Sequence, residues 1–294
     1  MFKRKNNLLA AFFLMIFVSS CTIFNNPAKI NKFVEIKTNH GDFILGLYEG
    51  TPLHRDNFLK NCHNMQYDST LIYSVMPNGM HKIGLPVNEK EDDLLFDSFP
   101  DNTINPEFNP KLINKTGAVG MYRINNDKNP EQVSDNILFY IIDGIPANQK
   151  LLRTLEAKRN APLIADYIST FLKEPGHKHF EDSLNQYKTN RNNDKFTQLY
   201  VQLTDSVKPR IKADGKSLFV LDKFQIDKYT NLGGVPIYDG QYTVFGEIVL
   251  GKEILKSLSN TRIGLFNKPK TNIYVLSTQI LTKKEYKKRK KNID

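Results

Sequence analysis

The 294-residue chain is 40% hydrophobic, carries 41 Lys and Arg against 31 Asp and Glu, and has two cysteines. This excludes an intrinsically disordered chain and a small disulfide-stapled fold, and the length suits one large domain or two modest ones. The formal charge of +10 admits nucleic acid, anionic lipid or plain solubility, and the N-terminal segment decides among them.

Met1-Phe2-Lys3-Arg4-Lys5 is a positive n-region and Leu8 to Val18 an apolar stretch of signal-peptide length. Residues 1–20 therefore read as a signal peptide, too short to span a bilayer comfortably. Val18-Ser19-Ser20-Cys21 resembles a bacterial lipobox, which implies that Cys21 is acylated and becomes the mature N-terminus; an ordinary signal peptide with a chance cysteine is the alternative. Residues 21–32 would then be a tether. The expected location is the cell envelope, periplasmic or outer-membrane associated, with the membrane as a partner through the lipid anchor and nucleic acid not a partner. Cys62 is left unpaired and is expected to be buried at a helix end as a small hydrophobe.

Phe33 to Thr38 alternates as a strand, Asn39-His40-Gly41-Asp42 is a turn, and Phe43 to Tyr48 is the returning strand. Thr51-Pro52 opens a helix that buries Phe58 and Leu59, and Leu71 to Met76 and Leu138 to Ile142 are apolar runs of strand length. Residues 147–228 carry helical periodicity on three faces: Ile164, Ile168, Phe171 and Leu172; Phe180, Leu184 and Tyr187; then Phe196, Leu199, Tyr200, Leu203 and Val207. Pro162 suits a helix start, while Pro175-Gly176 and Pro209 read as breaks. Gly233 to Val249, GGVPIYDGQYTVFGEIV, is a glycine-opened loop, an Asp239-Gly240 turn and a strand from Gln241. Ile254, Leu255 and Leu258 mark a further helix, Ile273 to Leu281 a last strand, and residues 282–294 a basic tail. That tail reads as a solvated helix extension, with contact to anionic lipid as the alternative.

Gly233 to Val249 closely resembles the "G-x-P-x-L-D-G-x-x-x-V-F-G-x-V" stretch of the cyclophilins, the peptidyl-prolyl cis-trans isomerases (rotamases) built on a small closed β-barrel. Tyr67-Asp68-Ser69-Thr70 with Val75, Glu107-Phe108, and Thr116 to Met121 repeat further motifs of that family in the same order. The resemblance implies a mainly β fold: a closed antiparallel barrel of about eight strands capped by two helices, plus an α-helical insertion. Residues 33–146 and 229–281 would form the two parts of the barrel and residues 147–228 the insertion.

Rotation about an Xaa-Pro bond has a barrier of roughly 20 kcal/mol, and an enzyme lowers it by donating a hydrogen bond to the pyramidal prolyl nitrogen of the twisted amide. No cofactor or metal is called for. In the family the donor is the arginine of "F-H-R-V-I", and the aligned run here is Ile72-Tyr73-Ser74-Val75-Met76, so Ser74 holds the arginine position. Loss of a charged donor costs about 2 to 3 kcal/mol in the transition state, about a hundredfold in rate. Arg123, Lys82 or a cation of the insertion could substitute.

The substrate-binding positions implied by the resemblance are Met80, which is kept, Lys82 in place of a glutamine, and Tyr122 in place of a small residue. Leu138 replaces the glutamine that orients the arginine, and Tyr140 the phenylalanine of the floor. Ile237, Tyr238 and Tyr242 replace tryptophan, leucine and histidine. Two functions follow. One is a weak prolyl isomerase that assists folding of exported proteins by acting on proline-containing segments. The other is a catalytically inactive peptide-binding or scaffold lipoprotein. His177 and His179, at i and i+2, do not share a helix face and read as solvated.

Overall fold

The structure, a computed structural model, describes residues 26–88, 102–124 and 126–292. The signal-peptide and lipobox readings, Cys21 included, lie outside the described residues. Eight strands, β1 (Ile30–Thr38), β2 (Phe43–Tyr48), β3 (Leu71–Val75), β4 (Met80–Leu85), β5 (Ala118–Met121), β6 (Phe139–Ile142), β7 (Val244–Leu250) and β8 (Ile273–Leu281), close into an antiparallel barrel. Their order around it is β1-β2-β7-β5-β6-β4-β3-β8. The first hairpin is fixed locally: Thr38 Oγ1 donates to the carbonyl of Gly41 at 2.6 Å and accepts from the N–H of His40 at 3.0 Å.

Inward-facing Val34, Ile36, Leu45, Leu47, Ile72, Val119, Ile141 and Phe245 fill the barrel. Helix α1 (Pro52–His63) adds Phe58, whose ring packs against Tyr67, Phe139 and Phe245 at centroid distances of 4.9 to 5.2 Å. Cys62 is buried near the end of the same helix, and burial pushes its thiol up to about 12, which leaves it inert as a nucleophile at neutral pH.

Between β6 and β7 lie α2 (Gln149–Leu172), α3 (Lys178–Thr189), α4 (Asn193–Ala213) and α5 (Lys223–Leu232). Pro162 and Pro209 sit inside α2 and α4 rather than at a start or a break. Each proline removes one backbone bond, but the helices continue because Ile168 and Phe171 of α2 close on Leu203, Val207 and Ile211 of α4, burial that outweighs the loss. Helix α5 runs across residue 228, so the helical insertion extends into the stretch read as barrel. After β7 come α6 (Ile254–Ser259), which buries Ile254, Leu255 and Leu258, and, beyond β8, α7 (Lys283–Lys291).

Two further boundaries differ from the sequence reading. Strand β1 begins at Ile30, inside the expected tether, because Glu49 and Gly50 donate to the carbonyls of Lys29 and Pro27 and hold this stretch against the end of β2. Strand β7 begins at Val244 rather than Gln241, because the N–H groups of Gln241 and Tyr242 both turn back to the carbonyl of Tyr238. The basic tail forms the expected helix, yet α7 is docked: Tyr286 stacks on Phe33 at 4.0 Å and Arg289 pairs with Glu35 at 3.0 Å.

Candidate active site

Strand register builds the site. Ser74 on β3 pairs with Lys82 on β4, Lys82 with Tyr140 on β6, Tyr140 with Gly120 on β5, and Gly120 with Val244 on β7. Positions scattered over 170 residues of sequence thus form one row across five neighbouring strands, on the face opposite the barrel core.

Ser74 is closed in, with 2% of its surface exposed. Its register partner Lys82 has its ammonium 4.7 Å from the ring centre of Tyr122 and 5.8 Å from that of Tyr73, so the local cation lies against aromatic faces. Leu138 is buried with Leu71, Tyr73 and Leu85. The N–H of Tyr122 donates to the Leu138 carbonyl at 2.8 Å, which sets the half-buried tyrosine over this cluster.

Beyond Lys82 the floor is filled rather than hollow. Tyr140 is fully buried and Met80 nearly so; Tyr242 meets Tyr140 edge-on at 5.6 Å, and Tyr238 meets Tyr242 at 5.2 Å. Burial pushes the phenols of Tyr140, Tyr238 and Tyr242 up, so at neutral pH all three are neutral hydrogen-bond donors. The half-buried rim of Lys82, Tyr122, Ile237, Tyr238 and Tyr242 can therefore offer one cation, phenolic donors and ring faces to a ligand.

Arg123 lies next to this rim but is committed. Its Nε donates to the carbonyl of Gln241, its Nη1 donates to that of Ile124 at 3.0 Å, and its guanidinium lies 4.9 Å from the Tyr242 ring. Only 3% of the residue is exposed. Burial draws its pKa down from the ordinary arginine value, and the guanidinium acts as a strut under the segment that carries Tyr242.

Three arrangements escaped the sequence. Asp239, read as a turn residue, is a buried hub: it accepts from the N–H and Nδ2 of Asn114, from Gln225 Nε2 and from Tyr229 Oη, at 2.7 to 3.1 Å. Asn114 Oδ1 in turn accepts from Tyr140 Oη at 2.7 Å, and Arg159 of α2 donates to the Asp239 carbonyl at 2.7 Å. The insertion is thereby wired to the floor of the site. Burial pushes the Asp239 carboxyl up, against the opposing pull of these donors.

Glu107 is the second. It accepts from the N–H groups of Leu53 and His54 and from His54 Nδ1, capping α1, whose N-cap Thr51 makes no side-chain cap. His54 Nε2 reaches Ser134 Oγ at 3.0 Å, but Ser134 is 1% exposed, so the Glu-His-Ser array ties α1 to the barrel without access for a substrate. The third is His81, turned into the core between Val75 and Ile141; among the described residues neither ring nitrogen has a hydrogen-bond partner, and Asp143 Oδ2 lies 3.7 Å away. The helix-start signal at Thr51-Pro52 and the Glu107-Phe108 pair were visible in sequence, but their meeting was not. His177 and His179 bond the carbonyls of Phe171 and Gly176, as ends of the α2–α3 turn.

Residues 33–148 match the family model for cyclophilin type peptidyl-prolyl cis-trans isomerase/CLD. A Staphylococcus saprophyticus protein whose name assigns it provisionally to the peptidyl-prolyl cis-trans isomerases is 36% identical over 56 residues, 19% of this chain and 28% of the relative. A Staphylococcus aureus protein of the same name is 34% identical over 55 residues, again 28% of its length, so the chain spans under a third of these relatives. Among solved structures, a cyclophilin type peptidyl-prolyl cis-trans isomerase from Cryptosporidium parvum aligns with a TM-score of 0.48 and 15% identity, covering 85% of this chain and 98% of that one. A second crystal structure of that protein, in the presence of the dipeptide Ala-Pro, aligns with a TM-score of 0.47. With the family motifs in order and the strands closed into the expected barrel, residues 33–148 match the first part of a cyclophilin-type domain, and a helical insertion separates them from the remaining strands β7 and β8.

Proposed function

We propose that the chain binds proline-containing segments of exported polypeptides across the rim formed by Lys82, Tyr122, Tyr238 and Tyr242, and isomerises them slowly. The observation that carries this reading is the state of the donor position: Ser74 is buried, and the neighbouring guanidinium of Arg123 is tied to backbone carbonyls. Lys82, paired in register with Ser74, is the cation best placed to approach a prolyl nitrogen. An ammonium spread over two rings gives a weaker, less directed hydrogen bond than a guanidinium fork, which supports slow turnover.

The measurement is acceleration of cis-to-trans conversion in a proline-containing tetrapeptide. The native chain is expected to exceed the thermal background, and Ser74→Arg/Lys82→Gln, which restores a guanidinium without a like charge beside it, is expected to raise kcat/KM by about a hundredfold. Absence of acceleration in both would remove the isomerase reading and leave the second one, binding without turnover, which the immobilised Arg123 favours.

The same reading makes the chain a lipoprotein of the cell envelope, tethered through Cys21. Membrane fractionation tests this: Cys21→Ser is expected to move the protein to the soluble fraction, and a variant still wholly in the membrane pellet would overturn the anchor.

A further inference from the structure

The connection between α4 and α5 is held to α2 on alternate residues. Asn160 grips Phe219 at both backbone groups, Oδ1 accepting from its N–H and Nδ2 donating to its carbonyl, each at 2.8 Å. Two residues on, Glu156 Oε1 accepts from the N–H of Leu221 at 2.6 Å. The Arg159 guanidinium lies 3.8 Å from the centre of the Phe219 ring and fixes its side chain. These side chains do for residues 219 and 221 what a neighbouring strand does in a sheet. In an extended chain the backbone groups of the intervening residues face the other way. Among the described residues, the N–H and carbonyl groups of Leu218 and Val220 make no hydrogen bond to protein, and Val220 is 64% exposed.

This open edge is one wall of a cleft of about 480 Å³ between insertion and barrel. Phe108, Pro110, Leu163 and Leu218 supply apolar surface, and Asn109, Gln225 and Gln241 supply polar surface. The strip Ile237–Tyr242 separates the cleft from the site described above: Tyr238 and Tyr242 pack with Tyr140 on one side, while Asp239 to Gln241 line the cleft on the other. The strip is stiff, since Arg123, Arg159 and Asn114 all bond to it.

We propose that the cleft takes an extended polypeptide segment, which adds a strand to the Leu218–Val220 edge while an adjoining part of the same ligand lies on the tyrosine rim. Hydrogen-bond complementarity selects this occupant: only a chain with its own alternating N–H and carbonyl groups satisfies that edge regardless of sequence, and the mixed polar and apolar walls accept varied side chains. The cleft and the rim share the strip Ile237–Tyr242 as a common wall, so a ligand that crosses it follows a path longer than the few residues a prolyl site grips. The proposal deepens the polypeptide-binding reading and rests on it.

The test uses reduced, carboxymethylated α-lactalbumin, a permanently unfolded chain, as a labelled probe, with a proline-containing tetrapeptide as a ligand too short to reach the cleft. Val220→Pro removes one N–H from the open edge and leaves the Asn160 and Glu156 bonds in place, because the residue before a proline already favours the extended state. It is expected to weaken binding of the unfolded chain about fivefold, with tetrapeptide turnover unchanged. Val220→Ser keeps the N–H and is expected to bind as the native chain does. Ser217→Trp, at an exposed position on the cleft, should also weaken binding by obstruction. Equal affinity of the native chain and Val220→Pro, both shown folded by circular dichroism, overturns the proposal. So does a dimer in sedimentation that Val220→Pro dissociates, since the occupant is then a second copy. Failure of the rim reading is separate: it is loss of tetrapeptide binding and turnover in the native chain itself.

Discussion

Tyr140 and Gly120 have to be understood as a pair. The hydroxyl that distinguishes Tyr140 from the family phenylalanine occupies the space where a Cβ on Gly120 would stand, and from there it donates to Asn114. Gly120→Ala should therefore cost about 1 to 3 kcal/mol through overpacking and displacement of that hydroxyl. In Gly120→Ala/Tyr140→Phe the closest contact is removed, but the ring carbons Cζ and Cε1 still crowd the added Cβ, so the double variant stays destabilised. Urea denaturation across the cycle should nonetheless give a loss smaller than the sum of the singles. The family motifs made both positions legible, one as a small residue and one as a floor aromatic. Their coupling was not legible, because nothing in a motif says that an added hydroxyl turns away from the groove to reach an asparagine on another loop. Arg123 is similar: its place was readable, but a long side chain has many destinations, and here two backbone carbonyls outcompete the rim.

At the scale of elements, periodicity served well where burial dominates and failed where local punctuation was trusted. The faces of α2, α3 and α4 were readable from apolar spacing, and the packing they create carries the chain through Pro162 and Pro209. Helix α1 shows a different dependence, since its N-terminus is capped from 53 residues away by Glu107. Burial raises the Glu107 carboxyl, but the His54 ring, the two N–H bonds and the His54 charge outweigh it, so its pKa lies below the ordinary value of 4.5. A carboxylate depressed in the fold contributes stability that is fully present above its unfolded pKa and lost as pH falls through the folded one. Glu107→Gln is thus expected to be less stable than the native chain at pH 7, and the gap, followed by chemical denaturation, should shrink as pH drops below 4.5. A gap that stays constant to pH 3 would show that the charge plays no part in docking α1.

At the scale of the molecule, the insertion is a closed excursion. Ala147 donates to the carbonyl of Tyr229 at 3.1 Å, and Gly144 lies so close to Gly234 that a side chain on Gly144 would strike the Gly234 backbone. Its two ends leave the barrel side by side, so its size costs the barrel little in loop closure. Yet Arg159, Gln225 and Tyr229 all return to the strip Ile237–Asp239. The insertion is grafted at one point and anchored at another, beside the candidate site. Its presence was legible as the place where family motifs stop, though α5 carries it past residue 228; its return contacts were not, because they join residues with no pattern in common.

Strand β1 lies between β2 and β8, and its ladder to β8 pairs Phe33 with Leu281. A chain that emerges N-terminus first cannot complete this ladder until β8 has followed the insertion and β7, which makes closure a late event in folding. Helix α7 comes later still, laying Tyr286 on Phe33 and Arg289 on Glu35. A product truncated before β8 keeps an unpaired edge on β1, and one truncated after it keeps Phe33 uncovered, both invitations to aggregate. The basic helix α7 is thus a latch over the β1–β8 seam, and it can engage only once that seam has closed.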